Sequence, residues 1–358
     1  GQQEGKRIQQ RAPYVDIVFG PQTYHNLPEM VKQIRRDRVK LTSIDMPEIE
    51  KFDHLPAPEI HGLSGFVTIM EGCDKFCTFC VVPYTRGPEL SRPVEDVLDE
   101  CRKLLAKGAV EITLLGQNVN AYLGKDGNGE EWDFTMLLYA TAKLEGLKRL
   151  RFMTSHPVEM TPELSIAFGE IPQLMPFLHL PVQSGSDHLL KAMHRGHTRD
   201  DYFRIIDELR QHCPDLALSS DFIVGYPGET DEDFEATLDL IRRVDYASSF
   251  CFKYSPRPGT PASKVEDDIP ESVKDERLQR LLELTREQSR SATERQIGRT
   301  VDVLVEKTSK NDGDMQGRTA DFKIVHFKGQ PRQIGQIMAV KIIEAYGQSL
   351  RGELLLAE

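Results

Sequence analysis

Short apolar runs alternate with amphipathic stretches through most of the chain. Between residues 64 and 296 the runs GFVTIM, VEITLLG, RLRFMT, FLHLPV, LALSSDFIVG and SSFCFKYS are short and rich in β-branched and aromatic residues, which predicts strands. The segments between and after them, 93–107, 133–144, 162–169, 187–193, 199–212, 231–243 and 271–296, repeat apolar positions at helical spacing. Six strand-plus-helix units in succession imply a parallel sheet with right-handed crossovers. Six is short of the eight that close a full barrel. The expected fold class is α/β, an open (β/α)6 partial barrel, with its chemistry at the C-terminal ends of the strands.

On either side the pattern changes. Residues 1–45 give a helix start, a strand (YVDIVFG) and a helix (YHNLPEMVKQIRRDR), one βα step with no strand to pair with, which reads as the remnant of an N-terminal α/β domain. The stretch DMPEIEKFDHLPAPEIHG carries three prolines and no periodicity, so 46–63 is expected to be a linker and 64–296 the main domain. After Gly298 the runs VDVLVEK, GRTADFKIVHF, IMAVKIIEAY and LRGELLL alternate, with turns at NDGD and FKGQPR. Residues 297–358 are therefore expected to form a small five-stranded β-barrel.

Composition and charge narrow the partners. At 358 residues the chain exceeds one core, and no run approaches the ~18 apolar residues of a membrane span. No membrane association is expected. The first residue is Gly, and GQQEGKRIQQ lacks the apolar core of a signal peptide, so a trimmed, cytoplasmic chain is expected. A net charge of −11 argues against coating nucleic acid by bulk charge. Residues 297–358 hold nine Lys/Arg against eight Asp/Glu, +1, which leaves −12 for the rest. The barrel is the better candidate for touching a polyanion. There Arg318, Lys323, Lys328 and Arg332 interleave with Phe322, His326 and Phe327, which suits a single-stranded RNA loop, although alternating aromatics also suit a barrel core.

Of six cysteines, Cys73, Cys77 and Cys80 fall within eight consecutive residues, directly after the first strand. A Cys-x-x-x-Cys-x-x-Cys loop fits an iron–sulfur cubane in which one iron is left open. Zinc is the competing reading, with His61 or Cys101 recruited as a fourth ligand. Cys101, Cys213 and Cys251 stand alone in predicted helices and a strand and read as ordinary buried thiols.

The three-cysteine loop resembles that of the radical S-adenosylmethionine enzymes. The blocks CTFCVVPYTRGPELSRP, LLGQNVNAY, MTSHPVEM, HLPVQSGSD, MHRGHT and SDFIVGYPGETDEDF resemble their methylthiotransferase branch, and most of all the members acting on isopentenylated adenosine next to the anticodon of tRNA. The C-terminal barrel resembles the RNA-binding TRAM module. The resemblance implies a 4Fe-4S cluster on Cys73, Cys77 and Cys80, whose open iron takes the amino and carboxylate groups of S-adenosylmethionine and whose electron releases a 5′-deoxyadenosyl radical. It further implies addition of a methylthio group at C2 of the adenine, with sulfur from an auxiliary 4Fe-4S cluster. The cysteines for that auxiliary cluster are absent from this chain. The partners it implies are the tRNA anticodon loop, a reductant such as flavodoxin or ferredoxin, and a sulfur or iron–sulfur donor. Sibling substrates are a threonylcarbamoyl-adenosine tRNA or a ribosomal-protein aspartate, and a reading of another class is a non-enzymatic metal-containing RNA-binding adaptor.

Polar residues at strand ends supply the remaining candidates. Phe79 matches the position whose backbone contacts adenine, and Gln117 follows Gly116 where the resemblance places contacts to the methionine amino group. Ser155 with His156, Gln183 with Ser184, and Asp221 sit at or near successive strand ends and are candidate S-adenosylmethionine contacts, whereas His179 between two leucines reads as a hydrogen-bonded core histidine. GYPGE, Gly225–Glu229, reads as a turn set against adenine. Arg86 and Arg92, in the polar loop after the cysteines, are candidates for substrate binding, with an internal ion pair as the alternative.

Overall fold

The computed structural model describes residues 1–45, 52, 57–309 and 313–355. Most of the expected linker, and part of the NDGD turn, lie outside the described residues.

Six parallel strands follow one another around an open barrel: Ser64–Thr68, Glu111–Leu115, Arg149–Phe152, Phe177–His179, Ala217–Val224 and Ser248–Lys253. The first three pair in register, as do the last three. The halves meet at a single parallel bridge, Leu150 to Leu174. Among the described residues, the first strand is flanked on its outer side by Ile60–His61 and the sixth has no further strand beside it, so the barrel is open between them. Alternation decides which side chains face the helices. A Cβ on Gly65 would press on Leu104 and Ile112, so Gly65 and Val67 face helix Val94–Ala106 while Ser64, Phe66 and Thr68 face the lumen. The helices start where the chemistry predicts: Thr198 and Thr230 each form a capping box with an Asp three residues on.

One expectation is corrected at the N-terminus. Strand Ile17–Phe19 pairs in parallel with Leu41–Ser43, across helix Leu27–Asp37, so this segment is a βαβ unit. Residues LTS are too short and polar to announce a strand. The C-terminal region is a closed five-stranded barrel of Thr300–Thr308, Asp314–Arg318, Ile324–Lys328, Ile337–Tyr346 and Ser349–Leu354. The run GRTADFKIVHF splits there into two antiparallel strands around a turn at 319–323.

That turn joins the two barrels. Ser64, Glu111 and Arg149 lie side by side at the N-terminal ends of the first three strands. Glu111, fully buried, accepts from Arg151 Nε at 2.8 Å, from Arg318 Nη2 at 3.0 Å and from Ser64 Oγ at 2.9 Å. Arg149 donates to the carbonyls of Arg318 at 2.8 Å and Asp302 at 2.9 Å. Phe322 inserts its ring 3.8 Å from the Arg151 guanidinium and edge-on to Phe177. The small barrel thus caps the N-terminal end of the large one, opposite the end where the cysteines lie.

Candidate active site

The first strand runs into a loop that folds back on itself. Gly72 sits at φ +90°, and a Cβ there would stand 2.0 Å from the carbonyl oxygen of Pro88, so only glycine fits the turn into Cys73. Its N–H donates to Gln117 Oε1 at 2.7 Å, which ties the loop to the end of the second strand. Thr78 fastens the other side: its N–H donates to the Met193 carbonyl, and its hydroxyl lies 2.8 Å from the Tyr226 hydroxyl. Phe79 packs with Tyr226, Tyr254 and Met193 in a small apolar cluster.

Cys73, Cys77 and Cys80 line one cleft at the C-terminal ends of the strands, with about 650 Å³ of free space including its open mouth. Phe79, Gln117, Ser155, Gln183 and Asp221 line the same cleft, as do Lys75, Asn118, Thr154, His156, His179 and Arg195. Thr154 and Gln183, at the ends of two different strands, both hold left-handed backbone (φ +68° and +78°), a costly conformation for non-glycine residues that clusters at functional sites.

The charges in the cleft are arranged. Arg195, almost fully buried, donates from Nη1 to Cys77 Sγ at 3.4 Å and from Nη2 to the Pro181 carbonyl. Burial pushes the Cys73 thiol up to about 11. Burial, and after it the Arg195 charge, holds the His156 imidazole down to about 2, so it is neutral at any working pH. His179 bonds Ser219 Oγ at 3.0 Å, as expected of a core histidine, and its Nε2 lies 3.5 Å from Asp221. Four buried polar atoms on residues lining the cleft have no partner among the described residues: Asn118 Oδ1, Ser155 Oγ, His156 Nε2 and Arg195 Nε. These atoms are open to hydrogen-bond a polar ligand in the cleft. Sulfur donors beside orphaned polar groups fit a cluster with a small polar molecule next to it.

The radical SAM superfamily model matches residues 67–241 and the TRAM domain model residues 294–355. A curated relative, the tRNA-2-methylthio-N(6)-dimethylallyladenosine synthase of Haemophilus influenzae (strain PittEE), is 52% identical over 99% of this chain and 75% of that protein. The chain belongs to the tRNA-2-methylthio-N(6)-dimethylallyladenosine synthase family. Synthases of the same name from Francisella tularensis subsp. holarctica (strain OSU18) and Magnetococcus marinus are each 50% identical over 99% of this chain, covering 80% and 82% of their own lengths. A solved radical S-adenosylmethionine methyltransferase, TsrM from Kitasatospora setae with cobalamin and a 4Fe-4S cluster bound, aligns at 20% identity and a TM-score of 0.46 over 55% of this chain and 38% of that one.

Outside the cleft, the candidates of this synthase family member are placed as follows. Arg86 donates to Glu71 at 2.9 Å and remains half-exposed. Arg92 is buried and bonds Glu100 at 2.6 Å and the Thr68 carbonyl at 2.7 Å, so its charge is matched inside the protein. Arg318 is spent between Glu111 and Glu306 in the contact between the barrels. Lys323 is half-buried, and burial lowers its ammonium pKa. Phe327 is barrel core and Phe322 fills the same contact. Gly225–Glu229 does not line the cleft; Glu229 accepts from the Gly225 N–H and from Arg277, and the turn reaches the site through Tyr226 and Phe79.

Neither His61 nor Cys101 lines the cleft, so neither joins the three thiols there. Cys101 is core, and burial pushes its thiol up to about 12. Cys213 and Cys251 are half-buried, the latter 3.7 Å from the Thr285 hydroxyl. Lys75, Asn118, Thr154 and Arg195 are missing from the sequence reading; Arg195 stands inside the MHRGHT block but 118 residues from the thiol it touches.

Proposed function

We propose that the protein is a radical S-adenosylmethionine transferase that adds a methylthio group to C2 of dimethylallylated adenosine beside the anticodon of tRNA. The observation that carries this is the gathering of three free thiols and four orphaned polar groups in one cleft, in a chain of this family. Cys73, Cys77 and Cys80 would hold a 4Fe-4S cluster, which would supply the electron that cleaves S-adenosylmethionine.

The chain's own residues do the rest of the work. Arg195 sets a cation against the Cys77 sulfur, which lowers the cost of bringing anionic thiolates into a buried site. Neutral His156, Ser155 and Asn118 offer hydrogen-bonding atoms to the polar groups of S-adenosylmethionine. Gln117 has its amide oxygen engaged by Gly72, so its NH2 is the group left to face a ligand. Phe79 supplies an apolar wall.

Among the described residues no three His, Cys, Asp or Glu side chains stand together as a site for one metal ion. Arg86 and the small barrel are proposed RNA contacts, with a flavodoxin or ferredoxin as reductant. In this reading the sulfur comes from outside these residues, which the separate settings of Cys101, Cys213 and Cys251 support.

Reconstituted anaerobically with iron and sulfide, a protein of this sequence is expected to hold about four irons rather than about eight. Given reductant and tRNA it should release 5′-deoxyadenosine without methylthiolated nucleoside. Iron analysis and mass spectrometry of digested tRNA check both. Absence of 5′-deoxyadenosine sinks the function, and stoichiometric methylthio-nucleoside sinks the placement of the sulfur source.

A further inference from the structure

Large apolar side chains left half-exposed on a strand are informative when they share a face. The sixth strand, Ser248–Lys253, carries two of them, Phe250 at 53% exposure and Phe252 at 51%. Cys251 between them packs on the helix side, against Thr285, so the two rings stand on the lumen face. Among the described residues they belong to the edge strand of the sheet, at the opening of the incomplete barrel, and Phe66 at 46% stands on the lumen face of the first strand across that opening.

The rings are continuous with the cleft. Phe250 lies in register beside Asp221 and Phe252 beside Ile223, and the His179 ring meets Phe250 edge-on with centroids 6.0 Å apart. Asp221 and His179 line the cleft that holds the three thiols. A molecule resting on Phe250 and Phe252 therefore has one end at the thiol cleft and the other toward solvent. The relatives are named for synthesising 2-methylthio-N(6)-dimethylallyladenosine in tRNA, and on the function proposed above the target is a flat base bearing a branched apolar chain. Two rings at two-residue spacing on a rigid strand suit both parts, since base–aromatic stacking needs only a π-face and the alkyl chain gains from leaving water.

We infer that Phe250 and Phe252 form the wall on which the target adenine stacks and against which its dimethylallyl group packs. This rests on the function proposed above. The wall makes recognition depend on the prior prenylation of the base: an unprenylated adenine keeps the stack and loses the apolar contact.

The test uses the reconstituted 358-residue protein and three anticodon stem-loops, carrying dimethylallyladenosine, adenosine or 2-aminopurine at the target position. Fluorescence anisotropy gives affinity, and quenching of 2-aminopurine reports stacking directly. The parent should bind the prenylated loop more tightly than the plain one and should quench 2-aminopurine. Phe250→Ala and Phe252→Ala should each weaken binding of the prenylated loop by about 10- to 100-fold, narrow the preference for prenylation and lose quenching, with melting temperature unchanged because both rings are half-exposed. Phe250→Tyr should keep the quenching and Phe250→Leu should lose it while retaining part of the prenyl preference. If the parent prefers the prenylated loop and the alanine variants keep both preference and quenching, the wall is wrong and the function stands. If the parent shows no preference for the prenylated loop, both are overturned.

Discussion

Replacing Cys77 by alanine is expected to abolish S-adenosylmethionine cleavage and to bring the iron content of the reconstituted protein from about four per chain to near zero. Cys77 is the one buried thiol of the three, and it is the sulfur that Arg195 faces at 3.4 Å. Without it, two half-buried thiols remain to hold four irons, and the guanidinium is left with no anion on that side. The matching control is Cys101→Ala. That thiol is in the core of the helix layer and away from the cleft, so the change should keep the iron and the cleavage and cost only packing, roughly 1 kcal/mol. Iron and sulfide analysis, the charge-transfer absorption and the yield of 5′-deoxyadenosine separate the two. Full cleavage by Cys77→Ala protein would show that the cluster lies elsewhere.

The second large effect is on stability and comes from the opposite end of the barrel. Glu111→Ala should destabilise the protein by about 3–5 kcal/mol, because it leaves Arg151 as a buried cation without a counter-charge, leaves Arg318 with Glu306 alone and strips Ser64 of its acceptor. The same carboxylate gives a pH signature. Burial by itself would raise its pKa, but Arg151 and Arg318 more than offset this and hold it below the ordinary 4.5. A carboxylate depressed on folding contributes stability that is fully present above its unfolded pKa and lost as pH falls through the lower folded value. The wild-type melting temperature should therefore fall more steeply than that of Glu111→Gln as the pH drops below about 4.5. Parallel curves for the two proteins would mean that the Glu111 pairs contribute nothing to holding the barrels together.

The cysteine loop and the arginines show how far the sequence was legible. Cys73, Cys77 and Cys80 are neighbours in the chain, and their chemistry is a matter of spacing along it, so their placement in one cleft needed little from the fold beyond the strand that carries them. Arg92 and Arg318 offered equally plain signals as cations in polar or aromatic-rich segments. The structure spends both on carboxylates. Glu111 lies 207 residues from Arg318, and nothing in the local pattern around either residue announces the other. Phe322 was likewise legible as an aromatic between basic residues, but its left-handed backbone and its place under Arg151 depend on the docking of one barrel on another.

Periodicity by itself determined the six strand-and-helix units and the alternating barrel strands, because each element must bury one face and the spacing of apolar residues records which. The spacing of Cys73, Cys77 and Cys80 likewise lies in the chain itself. What only the tertiary structure decided is which end of each strand meets which partner: Arg195 against Cys77, Glu111 between Arg151 and Arg318, and Phe250 and Phe252 half-exposed at the opening. These depend on closing long loops in three dimensions and on the low dielectric of the interior. There a charge must find its counter-charge however distant in sequence.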